Sequence, residues 1–178
     1  MPRKLNKLGL PSKGVSTPYK PMSMQELMDM PVCAMTEKDA HLYLWTTNAF
    51  MVEAHQLARA WGFEPKTIIT WGKIQKDDHE KVSMRTGYYF RGATEHCLFC
   101  VRGSQRLTGT WPTLFLWPRI GTHSQKPEAF IDMVEQASPG PYLELFSRRH
   151  RFNWDVFGLD SANTVDLPAQ QLKLWAGL

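Results

Sequence analysis

The residues best suited to chemistry lie in two neighbouring stretches near the C-terminal end of the sequence. A polar loop containing Lys126 leads into a helix that begins at Pro127, and a short apolar strand, 142–146, carries Glu144. A basic run, 148–151, follows that strand directly. A lysine just before the start of a helix favours the binding of an anionic group. An acid within an apolar strand needs a hydrogen-bonding partner, such as the hydroxyls of a ribose. The pattern indicates a ligand site at strand ends of a sheet; a solvated lysine and a plain basic surface patch remain alternatives.

Cysteine and glycine motifs offer no stronger alternative. Cys97 and Cys100, with His96 beside them, suggest zinc or redox chemistry, but they lie on an apolar strand. Their odd spacing sends the two side chains to opposite faces, so we expect core cysteines and no metal site. The sequence contains no G-x-G-x-x-G and no Walker loop, which argues against a conventional nucleotide site.

Alternating strands and helices must position these residues. Strands are predicted at 41–47 and 66–72, with a helix between them that Asn48 caps, and this βαβ spacing indicates a parallel sheet. A further strand is predicted at 96–101 and an irregular stretch at 102–121. The first helix has one apolar stripe, made of Phe50, Met51, Ala54, Leu57, Ala58 and Trp61. The helix from Pro127 has another, made of Phe130, Ile131, Val134 and Ala137. Ser23 and Glu26 form a capping box for a short helix.

Composition restricts the class of protein. Hydrophobic residues make up 43% and charged residues 21% of the 178 residues, which is typical of a globular domain. No apolar run approaches the roughly 20 residues that span a bilayer, and three cysteines fit a reducing cytoplasm. The net charge of +4 permits a polyanionic partner. We expect a basic loop or arm at 1–20, one domain at 21–160 and a C-terminal tail at 161–178.

Seven short motifs, taken in order, carry a resemblance that runs from about Tyr19 to Gly158. The sequence resembles the MT-A family of adenine-N6 methyltransferases. The motifs are Tyr19-x-x-Met22-Ser23-Met24-x-Glu26-Leu27, Leu42-Tyr43-Leu44-Trp45-Thr46-Thr47-Asn48, Ala60-Trp61-Gly62-Phe63, Trp71-Gly72-Lys73, Tyr89-Phe90-Arg91-Gly92-x-x-Glu95, His123-Ser124-x-Lys126-Pro127 and Glu144-Leu145-Phe146-x-Arg148.

The resemblance implies an α/β fold: a Rossmann-like methyltransferase sheet with helices on both faces, permuted motif order and the first strand missing. It also implies S-adenosylmethionine as the cofactor and DNA or RNA as the acceptor. The implied cofactor-binding residues are Lys126, Glu144, Phe146, Arg148 and His150. The implied substrate-binding residues are Lys73, Tyr89, Arg91 and Glu95. Among the aromatic residues, Trp71 or Tyr89 could hold the acceptor base by stacking.

Two departures from the family pattern bear on activity. The family's Asp-Pro-Pro-aromatic motif, which precedes the Tyr19 block in relatives, is absent, so no catalytic residue is assigned. We expect that this motif and the first strand either lie upstream of Met1 or have been lost. Relatives often have Gly-Asn-Glu or Gly-Asn-Gln where this sequence has Gly158-Leu159-Asp160, and Leu159 cannot supply amide contacts to a ribose.

Two functions follow from the resemblance. The first is an S-adenosylmethionine-dependent adenine-N6 methyltransferase of phage or bacterial type acting on DNA or RNA, with no membrane association. The second is a catalytically inactive subunit of the same fold that binds nucleic acid, in which the basic arm at 1–20, Arg91 and the run 148–151 form the functional surface. Either can form a homodimer or heterodimer.

Overall fold

The computed structural model describes residues 22–87, 89–119, 125–147, 149–158 and 163–165. The predicted arm at 1–20, His123, Ser124, Arg148, Leu159 and Asp160 lie outside these ranges, as does most of the predicted tail. The helices are α1 (Met24–Met28), α2 (Val32–Met35), α3 (Met51–Ala60) and α4 (Glu128–Ala137). The strands are β1 (Ala40–Thr46), β2 (Glu64–Ile74), β3 (Thr94–Arg102), β4 (Leu114–Pro118), β5 (Tyr142–Leu145) and β6 (Trp154–Phe157).

The main sheet is mixed and has the strand order β1-β3-β2-β4. β3 pairs antiparallel with both β1 and β2, so these two strands run in the same direction but are not neighbours. The shared direction of β1 and β2 agrees with the predicted βαβ unit, but the prediction of a parallel sheet was wrong, because the antiparallel strand β3 lies between them. β4 pairs parallel with β2.

Helices α3 and α4 cover opposite faces of the main sheet, as expected for this fold class. Cys100 packs with Ala54 and Leu57 of α3, whereas Cys97 packs with Phe130 of α4. The two cysteines are free and point to opposite faces, which confirms the reading from their spacing. The predicted stripe of α4 is buried throughout.

Phe50 departs from the prediction for the first helix. It is 61% exposed, because residues Asn48–Phe50 form a 3-10 turn before α3 begins and so take its side chain off the apolar stripe. No side-chain cap from Asn48 forms there.

β5 and β6 pair parallel in a second, two-stranded sheet. Residues of both sheets contribute to the core on the α3 side, among them Leu44 of β1 and Phe157 of β6. On the other face, Ser138 binds the hydroxyls of Tyr43 and Tyr142. The two sheets are thus joined through a shared core and through the hydrogen bonds of Ser138, while none of the described strands pairs with the outer edge of β1.

The stretch 102–121, expected to be irregular, contains β4. Prolines and glycines around it hide the strand in the sequence, but Pro118 stands at its last position, where a missing N–H is tolerated at a sheet edge. In the predicted tail, Thr164 donates its backbone N–H to Val156 and Val165 packs on the core. Among the described residues, none of the helices has the length and apolar character that crossing a membrane requires.

The capping box predicted for α1 is present. The Ser23 hydroxyl accepts from the backbone N–H of Glu26 at 3.2 Å, and the Glu26 carboxylate accepts from the backbone N–H of Ser23 at 2.6 Å. Ser23→Ala is expected to lower the free energy of unfolding by about 1 kcal/mol, since it removes one cap hydrogen bond. Urea denaturation measures this loss; an unchanged midpoint would contradict a stabilising cap.

Candidate functional site

A carboxylate held between two lysines is the centre of the candidate site. Glu95 lies near the start of β3, and its Oε1 is 2.5 Å from Nζ of Lys73 on β2. Its Oε2 is 2.5 Å from Nζ of Lys126, which immediately precedes the proline before α4. The pairing of β2 with β3 brings Lys73 to Glu95, and the packing of α4 on the sheet brings Lys126.

Each lysine also rests on an indole ring. Nζ of Lys73 lies 4.7 Å from the ring centroid of Trp71, and Nζ of Lys126 lies 4.7 Å from that of Trp45. The two indoles meet edge to face with centroids 6.2 Å apart. Cation–π attraction and the shared carboxylate therefore hold both ammonium groups in place.

The charge balance of this Lys73–Glu95–Lys126 cluster is positive, with two ammonium groups against one carboxylate. Lys73 is only 8% exposed. Burial by itself raises the pKa of Glu95, but hydrogen bonds from Lys126 and Lys73 outweigh it, so this pKa lies below its ordinary value. The carboxylate is therefore ionised at neutral pH, and the excess positive charge suits an anionic or electron-rich ligand.

The residues expected to face nucleic acid differ in exposure. Tyr89 is 86% exposed and Arg91 is also exposed, in the segment that leads into β3. Trp71, considered as a base-stacking residue, is buried at 2% exposure, and its indole N–H donates to the carbonyl of Trp117 at 3.0 Å. It cannot offer a ring face to a base. Its place under Lys73 makes it a support for that lysine.

The second group of predicted residues lies at the end of β5. Glu144 is half-buried and its Oε2 accepts from the Ser147 hydroxyl at 2.9 Å. Phe146 follows in the left-handed region with φ 61° and is 42% exposed. His150 is exposed. The remaining predicted cofactor residue, Arg148, lies outside the described residues.

Two arginines of the basic run after β5, Arg149 and Arg151, are paired with acids of α4, which corrects the interpretation of these two as a free basic surface. Arg151 donates to Glu128, Asp132 and Glu135, all on α4. Arg149 pairs with Glu128. Hydrogen bonds to Glu135 and Asp132 raise the pKa of Arg151. These contacts bind the segment after β5 to α4 and leave less charge for a polyanion.

The structure groups the predicted residues differently from the resemblance. Lys126, expected on the cofactor side, shares one carboxylate with Lys73, expected on the substrate side. Two supporting residues, Trp45 and Ser147, were not predicted to contribute. Trp45 stands in the strand motif before Asn48, and its alternation with Leu44 placed it on the α4 face. No motif singles out Ser147, and its role depends on the turn that follows β5.

The described part of the chain contains no candidate metal site: no group of three or more His, Cys, Asp or Glu side chains there is arranged to hold an ion. Burial raises the pKa of the Cys97 thiol, and it also raises that of Cys100, to about 12. Both side chains act as small core residues.

Comparison with known proteins identifies sequences of the same kind. The MT-A70 family model matches residues 5–160. The Type II methyltransferase M.MunI of Mycoplasma sp is 31% identical over 158 residues, which cover 85% of this chain and 64% of that protein. The N(6)-adenosine-methyltransferase catalytic subunit METTL3 of Homo sapiens is 28% identical over 155 residues, which cover 84% of this chain and 27% of that protein. The chain thus spans just under two thirds of the first relative and about a quarter of the second.

Proposed function

Because this chain belongs to the MT-A70 family, we propose that it is an adenine-N6 methyltransferase that uses S-adenosylmethionine and acts on DNA or RNA. The observation that carries the proposal is the convergence of Lys73, Glu95 and Lys126 from three separate segments. The names of the relatives, a Type II methyltransferase and an N(6)-adenosine-methyltransferase subunit, support the reaction class. The free cysteines are consistent with action in the cytoplasm.

Five residues would hold the methyl donor: Lys126, Glu144, Phe146, Arg148 and His150. When bound, S-adenosylmethionine supplies a methyl group activated on a sulfonium sulfur. Two observations support the fit. The ammonium group of a lysine has three N–H donors. Within the described residues Lys126 uses one of them, for Glu95, so it can also bind the carboxylate of the methyl donor. Glu144 uses Oε2 for Ser147, and its Oε1 makes no hydrogen bond among those residues.

The acceptor would lie against Lys73, Tyr89, Arg91 and Glu95. Transfer to the exocyclic amine of adenine requires an unpaired or flipped-out base, because a stacked base cannot reach the methyl group. That amine is a poor nucleophile, so the protein's task is to align it with the methyl group. The exposed ring of Tyr89 suits base stacking, and Arg91 suits a phosphate.

A second candidate function is a nucleic-acid-binding subunit without activity, working in a homodimer or heterodimer. The exposed side chains of Tyr89 and Arg91, which suit nucleic acid rather than the methyl donor, are the observation that favours it. The ion pairs of Arg149 and Arg151 with Glu128 weigh against the basic surface that this function would use. Cofactor binding separates the two functions.

Isothermal titration with S-adenosylmethionine tests the first function. The protein is expected to bind the cofactor, and Lys126→Met is expected to weaken binding about 10- to 100-fold, the worth of a hydrogen bond to a charged group. Decarboxylated S-adenosylmethionine should bind both proteins equally, because it lacks the group that Lys126 would hold.

Lys66→Met is the matched control for Lys126→Met, since Lys66 is an exposed lysine of β2 that does not belong to the Lys73–Glu95–Lys126 cluster. It should leave cofactor affinity unchanged. A protein that binds a single-stranded oligonucleotide but no S-adenosylmethionine would overturn the methyltransferase proposal and support the second function. Formation of N6-methyladenine, measured by mass spectrometry, would extend the result to activity.

A further inference from the structure

The turn after β5 has unusually little freedom for a loop at a strand end. Phe146 takes a left-handed conformation, with φ 61°. The backbone N–H of Ser147 donates to the carbonyl of Phe157 at 3.0 Å, which continues the pairing of β5 with β6. A Cβ atom at Gly158 would lie 1.9 Å from the carbonyl oxygen of Ser147, so only glycine allows this approach. The backbone at Ser147 is therefore fixed from two sides.

The hydroxyl of Ser147 is enclosed and faces the Glu144 carboxylate. Ser147 is 2% exposed. Its Oγ lies 2.9 Å from Oε2 of Glu144 and 2.6 Å from the carbonyl oxygen of Arg149, two acceptors for one hydroxyl proton. The backbone N–H of Arg149 donates to the same Oγ at 3.3 Å. A buried hydroxyl with these partners has a fixed position and restricts the rotation of the carboxylate.

Glu144 is left with one oxygen to offer a ligand. Its Oε2 is taken by Ser147, whereas its Oε1 has no hydrogen bond or ion pair within 22–87, 89–119, 125–147, 149–158 and 163–165. Glu144 is half-buried at the end of a strand, where the exposed edge of an α/β sheet receives ligands. A fixed carboxylate oxygen is an acceptor suited to a neutral hydroxyl donor.

We propose that Ser147 is a positioning residue that orients Glu144 so that its Oε1 accepts a hydrogen bond from a ribose hydroxyl of the bound cofactor. The inference rests on the proposed function, since it takes the methyl donor as the ribose-bearing ligand. Ser147 itself does not touch the cofactor. Its contribution is to hold the carboxylate in one rotamer before the ligand arrives, which avoids the cost of ordering it on binding.

Ser147→Ala tests the proposal through binding of S-adenosylhomocysteine and its 2′,3′-dideoxyribose analogue by isothermal titration. The substitution is expected to weaken S-adenosylhomocysteine about 3- to 10-fold, the worth of one neutral hydrogen bond. The dideoxy analogue should bind the variant and the original protein equally, since it offers no hydroxyl. A merely structural role for Ser147 would weaken both ligands by the same factor.

Two further variants make the result decisive. Ser104→Ala removes another serine hydroxyl that binds a carboxylate, that of Asp39 at 3.0 Å, and should change neither affinity. In a Glu144→Ala background, Ser147→Ala should have no further effect on S-adenosylhomocysteine binding, because the group it orients is gone.

The outcomes separate this inference from the proposed function. If the original protein binds neither ligand, the proposed function fails. If it binds S-adenosylhomocysteine while Ser147→Ala changes both ligands equally, or neither, the positioning role is overturned and the proposed function stands.

Discussion

Replacing Glu95 by alanine is expected to lower the free energy of unfolding by about 2–4 kcal/mol. Without the carboxylate, the nearly buried ammonium of Lys73 faces that of Lys126 with no acid between them. The expected loss lies below that of breaking a fully buried pair, because 23% of the Glu95 side chain reaches solvent. Urea denaturation followed by tryptophan fluorescence measures it, since Trp45 and Trp71 lie under the two lysines.

Glu64→Ala is the matched control for this substitution. Glu64 lies on β2 in the same sheet, is exposed, and forms a long ion pair of 3.9 Å with Arg59, so the expected change is within about 0.5 kcal/mol. In the double variant Glu95→Ala, Lys73→Met, the combined loss should be smaller than the sum of the single losses. Equal effects of Glu95→Ala and Glu64→Ala would contradict a stabilising cluster.

The effect of Glu95 should depend on pH in one direction. Hydrogen bonds from the lysines hold the folded pKa of Glu95 below its ordinary value, despite the opposing effect of burial. A lowered folded pKa stabilises the protein above the unfolded pKa, about 4.3, and this contribution is lost as pH falls through the folded value. The difference between the original protein and Glu95→Ala should therefore be full at neutral pH and narrow below about pH 4.3.

Phe130→Ala is expected to lower the free energy of unfolding by about 3–5 kcal/mol, the cost of a large cavity in a core. Phe130 is 1% exposed, and its ring lies 4.6 Å from the centroid of Trp45, 5.6 Å from that of Phe115 and 6.2 Å from that of Tyr43. It therefore joins α4 to two strands of the main sheet. Guanidinium denaturation monitored by circular dichroism measures the loss.

Phe152→Ala is the comparison for this substitution. Phe152 is 83% exposed, so removing its ring should change stability by no more than about 0.5 kcal/mol. If Phe130→Ala lowered the free energy of unfolding by no more than Phe152→Ala does, the aromatic cluster around Phe130 would not be what holds α4 to the sheet.

Local patterns predicted the elements of this fold better than their arrangement. The capping box at Ser23 and the buried stripe of α4 follow from spacing along a helix, and both were confirmed. The position of β3 between β1 and β2 was not predictable in this way, because strand order depends on which edges meet after the helices pack. β4 was missed since its flanking prolines and glycines resemble those of an irregular loop.

For the candidate site too, the sequence predicted individual residues but not the contacts between them. Lys126 and Glu95 were recognised individually from motifs, but 31 residues separate them in the chain and nothing in either motif requires contact. Their contact depends on where α4 starts relative to the start of β3. Arg149 and Arg151 were interpreted as part of a basic surface, because the acids that bind them lie on α4. That helix was interpreted from its apolar stripe alone.

The alternation of Cys97 and Cys100 between two cores has a consequence for how the chain tolerates insertions. β3 is the central partner of both β1 and β2, and its side chains fill the α3 face and the α4 face in turn. Adding or deleting a single residue within β3 would exchange the contents of the two cores at once, since every side chain beyond the change would move to the other face. Length changes in this protein should therefore be confined to its connecting segments, while β3 has a fixed number of residues.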